Sequence, residues 1–195
     1  MPAALIVVDV QVDFCPGGAL AVKHGDQVVP PLNRVIEVFE GLGAPVFFTR
    51  DWHPPDHISF RSQGGLWPPH CVQGSPGAKF HPELLVPRDA RVISKGDRPS
   101  MEAYSGFQGT DLEAQLKELR VKELFIGGLA TDYCVRETAL DALRAGFSVD
   151  LLKDCVRPVD VERGDGVRAL AELQEAGARL TASPKAVSIL ASTQQ

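Results

Sequence analysis

The sequence predicts a doubly wound α/β domain built around a mainly parallel sheet. Strand-like apolar runs alternate with segments of helical periodicity along nearly the whole chain. The first run, LIVVDV at residues 5–10, is apolar except for Asp9, which is typical of a strand that is buried on both faces. The length of 195 residues suits a single domain, residues 1–195, with a full-sized core.

Six strands and the helices between them can be placed by pattern. After the first strand, residues 28–42 carry apolar side chains at helical spacing, with prolines in the first turn and Gly43 following the end. Further strands are expected at 45–50, 91–94, 123–128, 148–154 and 178–183. Helices are expected after Asp111, a candidate N-cap, after the fourth strand, over 161–176, and around Val187, Ile189 and Leu190. This alternation predicts right-handed βαβ crossovers.

Composition narrows the class of partner. A net charge of −5 and the absence of a Lys/Arg run argue against nucleic acid or an anionic membrane surface. No apolar run approaches the roughly 18 residues of a membrane span, and the N-terminus lacks the basic region of a signal peptide. Four cysteines without a CxxC pair indicate reduced thiols. We therefore expect a cytoplasmic protein with a small-molecule partner; whether it is a monomer or a homo-oligomer stays open.

Reactive side chains follow four of the predicted strands. Asp9 lies near the end of the first, Asp51 and His53 follow the second, Lys95 follows the third and Cys134 follows the fourth. Ligands in such folds bind outside the carboxyl ends of the strands, so these groups should converge. A single aspartate at a strand end is more often a turn residue, and a lysine after a strand is usually a solvated charge. The convergence of four favours a functional site.

Cys134 is the candidate nucleophile. It lies where a strand turns into a helix, so that the helix dipole and Lys95 could favour its thiolate and Asp9 could accept its proton. The turn GGLATDYC would direct backbone N–H groups beside the sulfur as an oxyanion hole. The alternative is an ordinary buried cysteine. The other cysteines are weaker candidates, because none of Cys15, Cys71 and Cys155 has both a helix start and a strand-end base nearby.

A metal site is the second candidate. The irregular segment 51–90 is too long to be a simple connection, and it contains Asp51, His53, His57 and His70. One carboxylate and three imidazoles suit one divalent ion, Zn²⁺, Fe²⁺ or Mn²⁺. The alternative is a polar surface loop with incidental histidines. Asp56 is a possible substitute ligand, and we interpret His24 and His81 as ordinary surface residues.

These residues lie in blocks that resemble the nicotinamidases of the isochorismatase-like hydrolase superfamily, from about residue 3 to 183. The blocks are DVQVDF (9–14), DWHPPDH (51–57), WPPHCVQGSPGAKFHPEL (67–84), SKG (94–96), AYSGF (103–107) and GLATDYCVRETALDAL (128–143). The resemblance implies a three-layer α/β/α sandwich with a six-stranded, mainly parallel sheet. It also implies hydrolysis of nicotinamide, and of pyrazinamide, to the acid and ammonia through a cysteine thioester, a reaction of NAD salvage.

The resemblance also implies roles for individual residues. Asp9, Lys95 and Cys134 would form the catalytic triad, and the N–H groups of Ala130 and Cys134 the oxyanion hole. The metal ligands would be Asp51, His53, His57 and His70. The substrate-binding residues would be Phe14 and Trp67 on either side of the pyridine ring, Tyr104 near the pocket, and Leu129 and Ala130, which a cis peptide bond would join.

Three alternatives remain from the sequence. A related amidohydrolase that acts on carbamoyl or ureido compounds would share the triad, but it should lack the histidine-rich loop. An isochorismatase would lack the cysteine nucleophile. A catalytically silent metal-binding or interaction module would not need the intact triad. Release of ammonia from nicotinamide, with and without added metal, separates these possibilities.

Overall fold

The structure, a computed structural model, describes residues 2–192. Within this range the strands are β1 (Ala3–Val8), β2 (Val46–Asp51), β3 (Arg91–Lys95), β4 (Glu123–Leu129), β5 (Ser148–Arg157) and β6 (Arg179–Thr181). They form one sheet in the order β3–β2–β1–β4–β5–β6, with every neighbouring pair parallel. The predicted six-stranded parallel sheet is therefore confirmed.

Helices cover both faces of this sheet. They are α1 (Val29–Gly41), α2 (Leu112–Glu118), α3 (Arg136–Arg144), α4 (Asp165–Glu175) and α5 (Ser183–Ser192). Helices α1 and α5 contribute to one apolar core, and α2, α3 and α4 contribute to the other. The alternating side chains of β1 divide accordingly, with Leu5 and Val7 in the first core and Ile6 and Val8 in the second. This double burial explains why the first strand is almost uninterruptedly apolar.

The strand order reverses between β1 and β4. From β1 the chain proceeds outward through β2 and β3, and it then returns to the other side of β1 to form β4, β5 and β6. Connections leave the carboxyl ends of β1 and β4 in opposite directions, which opens a crevice between these two ends. The topology therefore places a binding site next to Asp9 and the start of the turn that contains Cys134.

Several local predictions needed correction. Strand β5 continues to Arg157 beyond the predicted end at 154, α4 begins at Asp165 instead of 161, and β6 ends at Thr181 instead of 183. Strand β1 ends at Val8 instead of Val10, because Asp9 adopts a left-handed backbone with φ of 50° and leaves the sheet. Asp111 precedes α2, but its side chain makes no capping hydrogen bond since its backbone is not extended. The neighbouring Thr110 hydroxyl instead accepts from the N–H group of Leu112 at 3.3 Å.

A glycine controls the approach of β4 to β1. Gly128 has φ of 129°, and a Cβ atom at this position would lie 2.1 Å from the carbonyl oxygen of Val8. Any side chain would therefore separate the two central strands. The peptide bond between Leu129 and Ala130 that follows is cis, as the resemblance implied.

The segment between β2 and β3 has no α-helix or strand and is held by short bridges. His53 pairs with Val72 and Phe60 pairs with Trp67. This confirms the long irregular segment predicted from the sequence. No helix within residues 2–192 has the length and the apolar character needed to cross a membrane.

Candidate active site

Four side chains converge at the carboxyl edge of the sheet. Lys95 ends β3 directly beside Asp51, which ends β2, because the two residues are register partners. The Lys95 Nζ atom lies 2.9 Å from Asp9 Oδ2, 2.5 Å from Asp51 Oδ1 and 3.3 Å from Cys134 Sγ. All four side chains are buried. One ammonium group thus contacts two carboxylates and the thiol.

Asp9 has the environment of a proton acceptor. It is fully buried, and its Oδ1 atom accepts a hydrogen bond of 2.6 Å from the Thr49 hydroxyl. Burial raises the pKa of Asp9 above its ordinary value, although the charge of Lys95 opposes this rise. One carboxylate oxygen of Asp9 lies within 4.8 Å of the Cys134 sulfur. A carboxylate with a raised pKa at this distance can remove the proton from a thiol during attack.

Burial and the neighbouring charges act on the Cys134 thiol in opposite directions. Cys134 lies in a single π-helical turn, Thr131–Val135, that leads into α3. Burial raises the pKa of the Cys134 thiol well above its ordinary value; Lys95 lowers this pKa and Asp9 raises it, without reversing the effect of burial. The charge of Lys95 therefore favours the thiolate, as considered from the sequence, while burial opposes it. Proton transfer to Asp9 is the second route considered, and it relieves the cost of a buried thiolate.

The other cysteines have no comparable surroundings. Burial raises the pKa of Cys15 to about 11 and that of Cys155 to about 12, and the pKa of Cys71 is also raised. In the part of the chain that the structure describes, Cys134 is the only thiol with a lysine amino group within hydrogen-bonding distance. Position, not acidity, distinguishes Cys134 from the other three.

Three of the predicted metal ligands form a compact buried group. Donor atoms of Asp51, His53 and His70 all lie within 4.8 Å of one another. The Nε2 atoms of His53 and His70 lie 3.5 Å and 3.8 Å from Asp51 Oδ2. Burial raises the pKa of Asp51, but Lys95 and His53 lower it to a net value well below the ordinary range. Asp51 is therefore ionised at neutral pH and can bind a cation.

Hydrogen bonds orient both imidazoles for this role. The Nδ1 atom of His53 lies 2.8 Å from the carbonyl oxygen of Gly96, and that of His70 lies 2.8 Å from the carbonyl oxygen of Pro68. Because carbonyl oxygens only accept, each Nδ1 carries the proton, and each Nε2 lone pair is available to a cation held between the imidazoles and Asp51. A Cβ atom at Gly96 would lie 2.5 Å from His53 Cε1, so this position requires glycine. One carboxylate and two oriented imidazoles fit a divalent transition metal.

His57 lies beside this group but does not face it. Its ring stacks on that of His53 with centroids 4.0 Å apart. Its Nε2 atom lies 2.9 Å from the carbonyl oxygen of Met101, and its Nδ1 atom lies 2.7 Å from Ser59 Oγ. Both nitrogens are thus engaged outside the three-residue group, and the role of His57 as a ligand stays a prediction.

Gln11 supports the metal group, and sequence reasoning missed this role. Its fully buried side chain donates to the carbonyl oxygen of Asp51 at 2.9 Å and accepts from the N–H group of Asp51 at 2.8 Å. These two bonds continue the sheet pairing by one step and fix the backbone of Asp51. The motif DVQVDF contained Gln11, but no local pattern relates it to a residue forty positions away.

A pocket with room of about 40 Å³ for the centres of water molecules opens beside Cys134. It is lined by Phe14, Leu20, Asp51, His53, Trp67, His70, Glu102, Ala103, Tyr104, Ala130, Tyr133, Cys134 and Val159. The Trp67 indole N–H group donates to the Tyr104 hydroxyl at 3.0 Å, and its ring meets Tyr133 edge-on at 5.2 Å. The lining is mainly apolar and aromatic around a few polar groups, which suits a small, flat, partly polar ring.

The pocket contains most of the predicted substrate-binding residues and several that were missed. Phe14, Trp67, Tyr104 and Ala130 line it. Leu129 does not, because its side chain is fully buried in the core beside α1. The missed lining residues are Leu20, Glu102, Ala103, Tyr133 and Val159. Among these, Val159 follows β5 at the carboxyl edge, so the rule that located the triad would also have found it.

Two amides of the π-helical turn are engaged within the turn itself. The N–H groups of Tyr133 and Val135 donate to the carbonyl oxygen of Ala130 at 3.2 Å and 3.1 Å. They are therefore unavailable to a ligand. The N–H groups of Ala130 and Cys134 remain the predicted oxyanion donors.

The doubly wound sheet with a thiol at its switch point, beneath an aromatic pocket, is typical of α/β-fold hydrolases that attack a carbonyl carbon with cysteine. The chain belongs to the isochorismatase family, since residues 3–184 match the isochorismatase domain.

Individual relatives are closely similar over almost their full lengths. The nicotinamidase of Escherichia coli is 42% identical, over 92% of this chain and 94% of that protein. The pyrazinamidase of Pyrococcus horikoshii, solved in complex with zinc, is 51% identical with a TM-score of 0.89, over 93% and 99% of the two chains. PnC1 of L. infantum, solved in complex with nicotinate, is 38% identical with a TM-score of 0.83, over 93% of each chain.

Proposed function

We propose that this protein is a nicotinamidase, which hydrolyses nicotinamide to nicotinate and ammonia and also accepts pyrazinamide. The observation that carries the proposal is the contact of Lys95 with Asp9 and with the Cys134 thiol at the base of the aromatic pocket. The nicotinamidase and pyrazinamidase relatives support the substrate class.

In the first half of the proposed reaction, the pyridine ring lies between Phe14 and Trp67 with the carboxamide above Cys134. The sulfur attacks the carboxamide carbon while Asp9 takes the thiol proton. The carbonyl electron pair moves to oxygen, where the N–H groups of Ala130 and Cys134 stabilise it. Asp9 then returns its proton to the amide nitrogen as the C–N bond breaks. Ammonia leaves, and a thioester remains on Cys134.

In the second half, water replaces ammonia. Asp9 takes a proton from the water as its oxygen attacks the thioester carbon. The C–S bond then breaks, and the departing sulfur recovers the proton from Asp9. Lys95 stays protonated throughout, since its two carboxylate contacts raise its pKa well above the ordinary value despite burial. Its positive charge compensates the negative charge that passes between Cys134 and Asp9.

The metal site would orient the substrate. Asp51, His53 and His70 would hold one divalent ion, and His57 is the candidate fourth ligand, if its ring leaves the Met101 carbonyl. When bound, the ion supplies a coordination position for the pyridine nitrogen. The residues of the chain perform both covalent steps.

The direct test is the release of ammonia from nicotinamide by the purified chain. We expect the chain to hydrolyse both nicotinamide and pyrazinamide. Chelation of the metal should remove most of this activity, and added Zn²⁺, Fe²⁺ or Mn²⁺ should restore it. An N-carbamoyl amino acid serves as the comparison substrate. Turnover of that compound with none of nicotinamide would assign the protein to the ureido-hydrolysing relatives instead.

Removal of a metal ligand is expected to affect both the ion and substrate affinity. His53→Ala should lose most of the bound metal and raise the KM for nicotinamide about tenfold or more, because one oriented imidazole is missing. His57→Ala should weaken metal retention less, since its nitrogens face Ser59 and Met101. Elemental analysis and steady-state kinetics measure both quantities.

The exposed histidine His24 provides a matched control, and His24→Ala should behave as the unmodified chain does. Asp51→Ala should also lose the ion. This substitution additionally removes a contact of Lys95, so its effect on activity does not separate the metal group from the triad. Full metal occupancy in His53→Ala would show that the ligand set is wrong.

A further inference from the structure

Asp132 is a buried carboxylate that the proposed reaction does not use. It lies in the π-helical turn, between Ala130 and Cys134, and its side chain belongs to neither the triad nor the metal group. Its residue exposure is only 4%. Within residues 2–192, no lysine, arginine or histidine side chain pairs with it at salt-bridge distance. Arg136 attracts Asp132 only at longer range, so this buried carboxylate needs hydrogen bonds to be stable.

Backbone amides of a different loop provide those bonds. Asp132 Oδ1 accepts from the N–H group of Val159 at 2.9 Å, and Asp132 Oδ2 accepts from the N–H group of Asp160 at 2.8 Å. The two amides belong to the loop that follows β5, more than twenty-five residues further along the chain. Each carboxylate oxygen therefore holds one amide of the same short segment.

The loop held in this way forms part of the substrate pocket. Val159 lines the pocket together with Cys134. Asp160 has a left-handed backbone with φ of 54°, and its own Oδ1 atom accepts from the N–H group of Gly166 in the first turn of α4 at 2.8 Å. The segment is thus bonded to the nucleophile turn on one side and to α4 on the other.

The chemistry of this contact requires a carboxylate. Two N–H donors point at one side chain, and an ionised carboxylate has two acceptor oxygens to receive them. An asparagine would offer one acceptor oxygen and would direct its amide NH₂ at the second donor. One partly buried backbone N–H group would then lose its partner.

We propose that Asp132 is a positioning residue that sets the distance between the Val159 side of the pocket and the reactive sulfur. Through its two bonds, the turn that carries Cys134 and the loop that carries Val159 move as one unit. The width of the pocket for a flat ring depends on this distance. The identity of the substrate rests on the proposed function, whereas the connection between the two loops is independent of it.

The test replaces Asp132 by asparagine and measures three quantities. Hydrogen exchange at the Val159 and Asp160 amides should accelerate about tenfold or more. The KM for nicotinamide should rise about tenfold while kcat changes less than about threefold, since ring binding suffers more than the chemistry. Alkylation of Cys134 by iodoacetamide should keep its rate and pH profile, because this small reagent does not use the Val159 side of the pocket.

Two further variants make the interpretation specific. Val159→Ala should raise the KM by itself, and adding Asp132→Asn to it should raise the KM no further if Asp132 acts through Val159. Asp165→Asn is the matched control: Asp165 also accepts a backbone amide, that of Glu162 at 2.8 Å, but it does not line the pocket. It should leave the KM and the exchange of Val159 unchanged.

Several outcomes would overturn the proposal. Unchanged exchange at Val159 and Asp160 in Asp132→Asn would show that the carboxylate does not hold the loop. A KM effect of Asp132→Asn that persists undiminished in the Val159→Ala background would show that it acts elsewhere. If Asp132→Asn does not fold, Val159→Ala alone tests the proposal: an unchanged KM in this variant would show that the Val159 side of the pocket does not affect substrate binding. Absence of nicotinamide turnover in the unmodified chain would contradict the proposed function alone, since exchange still tests the loop contact.

Discussion

Replacing Cys134 by alanine is expected to reduce nicotinamide turnover on the order of 10⁴-fold or more while the fold, the bound metal and ring binding persist. The substitution removes the sulfur alone, and alanine suits both the helical start and a buried position. No other thiol approaches Lys95 within the described residues, so none can substitute for it. Steady-state kinetics, elemental analysis and calorimetric binding of nicotinamide measure the three properties.

The remaining cysteines provide the controls for this experiment. Cys15→Ala, Cys71→Ala and Cys155→Ala should each keep most of the activity, since all three are buried and act as small apolar residues. A Cys134→Ala variant that retained more than about one per cent of the unmodified rate would exclude the covalent mechanism.

Asp9→Asn is the second change with a large expected effect, and its comparison with Lys95→Met separates proton transfer from electrostatics. Asp9→Asn should lower kcat on the order of 10³-fold, because an amide cannot take the thiol proton or return it to ammonia. In this variant the alkylation of Cys134 by iodoacetamide should stay near the normal rate or become faster, because the negative charge of Asp9 raises the pKa of Cys134 in the unmodified chain.

Lys95→Met should have the opposite effect on alkylation. The Lys95 charge lowers the pKa of Cys134, so its removal should slow alkylation at neutral pH at least about threefold. It also leaves the carboxylates of Asp9 and Asp51 without their common partner, so thermal unfolding must accompany the measurement. Lys153→Met, at an exposed position of β5, is the control. If Cys134 in a folded Lys95→Met variant is alkylated as fast as in the unmodified chain, the role of Lys95 is structural.

The organisation of the fold could be predicted because it depends on local patterns. Alternation of apolar runs with helical periodicity is a property of neighbouring residues, and it located all six strands and the order of the helices. In a parallel sheet every carboxyl end lies at one edge, so strand position alone predicted that Asp9, Asp51, Lys95 and Cys134 would meet. The resemblance supplied the roles, which the residue types support.

Features that depend on distant residues could not be predicted in this way. The orientation of His57 is decided by Met101, forty-four positions away, and the backbone of Asp51 is fixed by Gln11, forty positions away. The sequence places charge partners near Cys134, but only the packed structure shows that burial raises the pKa of this thiol while Lys95 lowers it.

The sequence by itself therefore determined the fold class, the edge at which the site lies and the residue types available there. The tertiary structure decided which of those residues face one another, which of them are desolvated, and which loop completes the pocket. The contact of Asp132 with the Val159 loop belongs to the second group. The physical reason is that secondary structure follows from periodicity within a few residues, whereas desolvation and hydrogen bonding between loops exist only once distant segments have packed together.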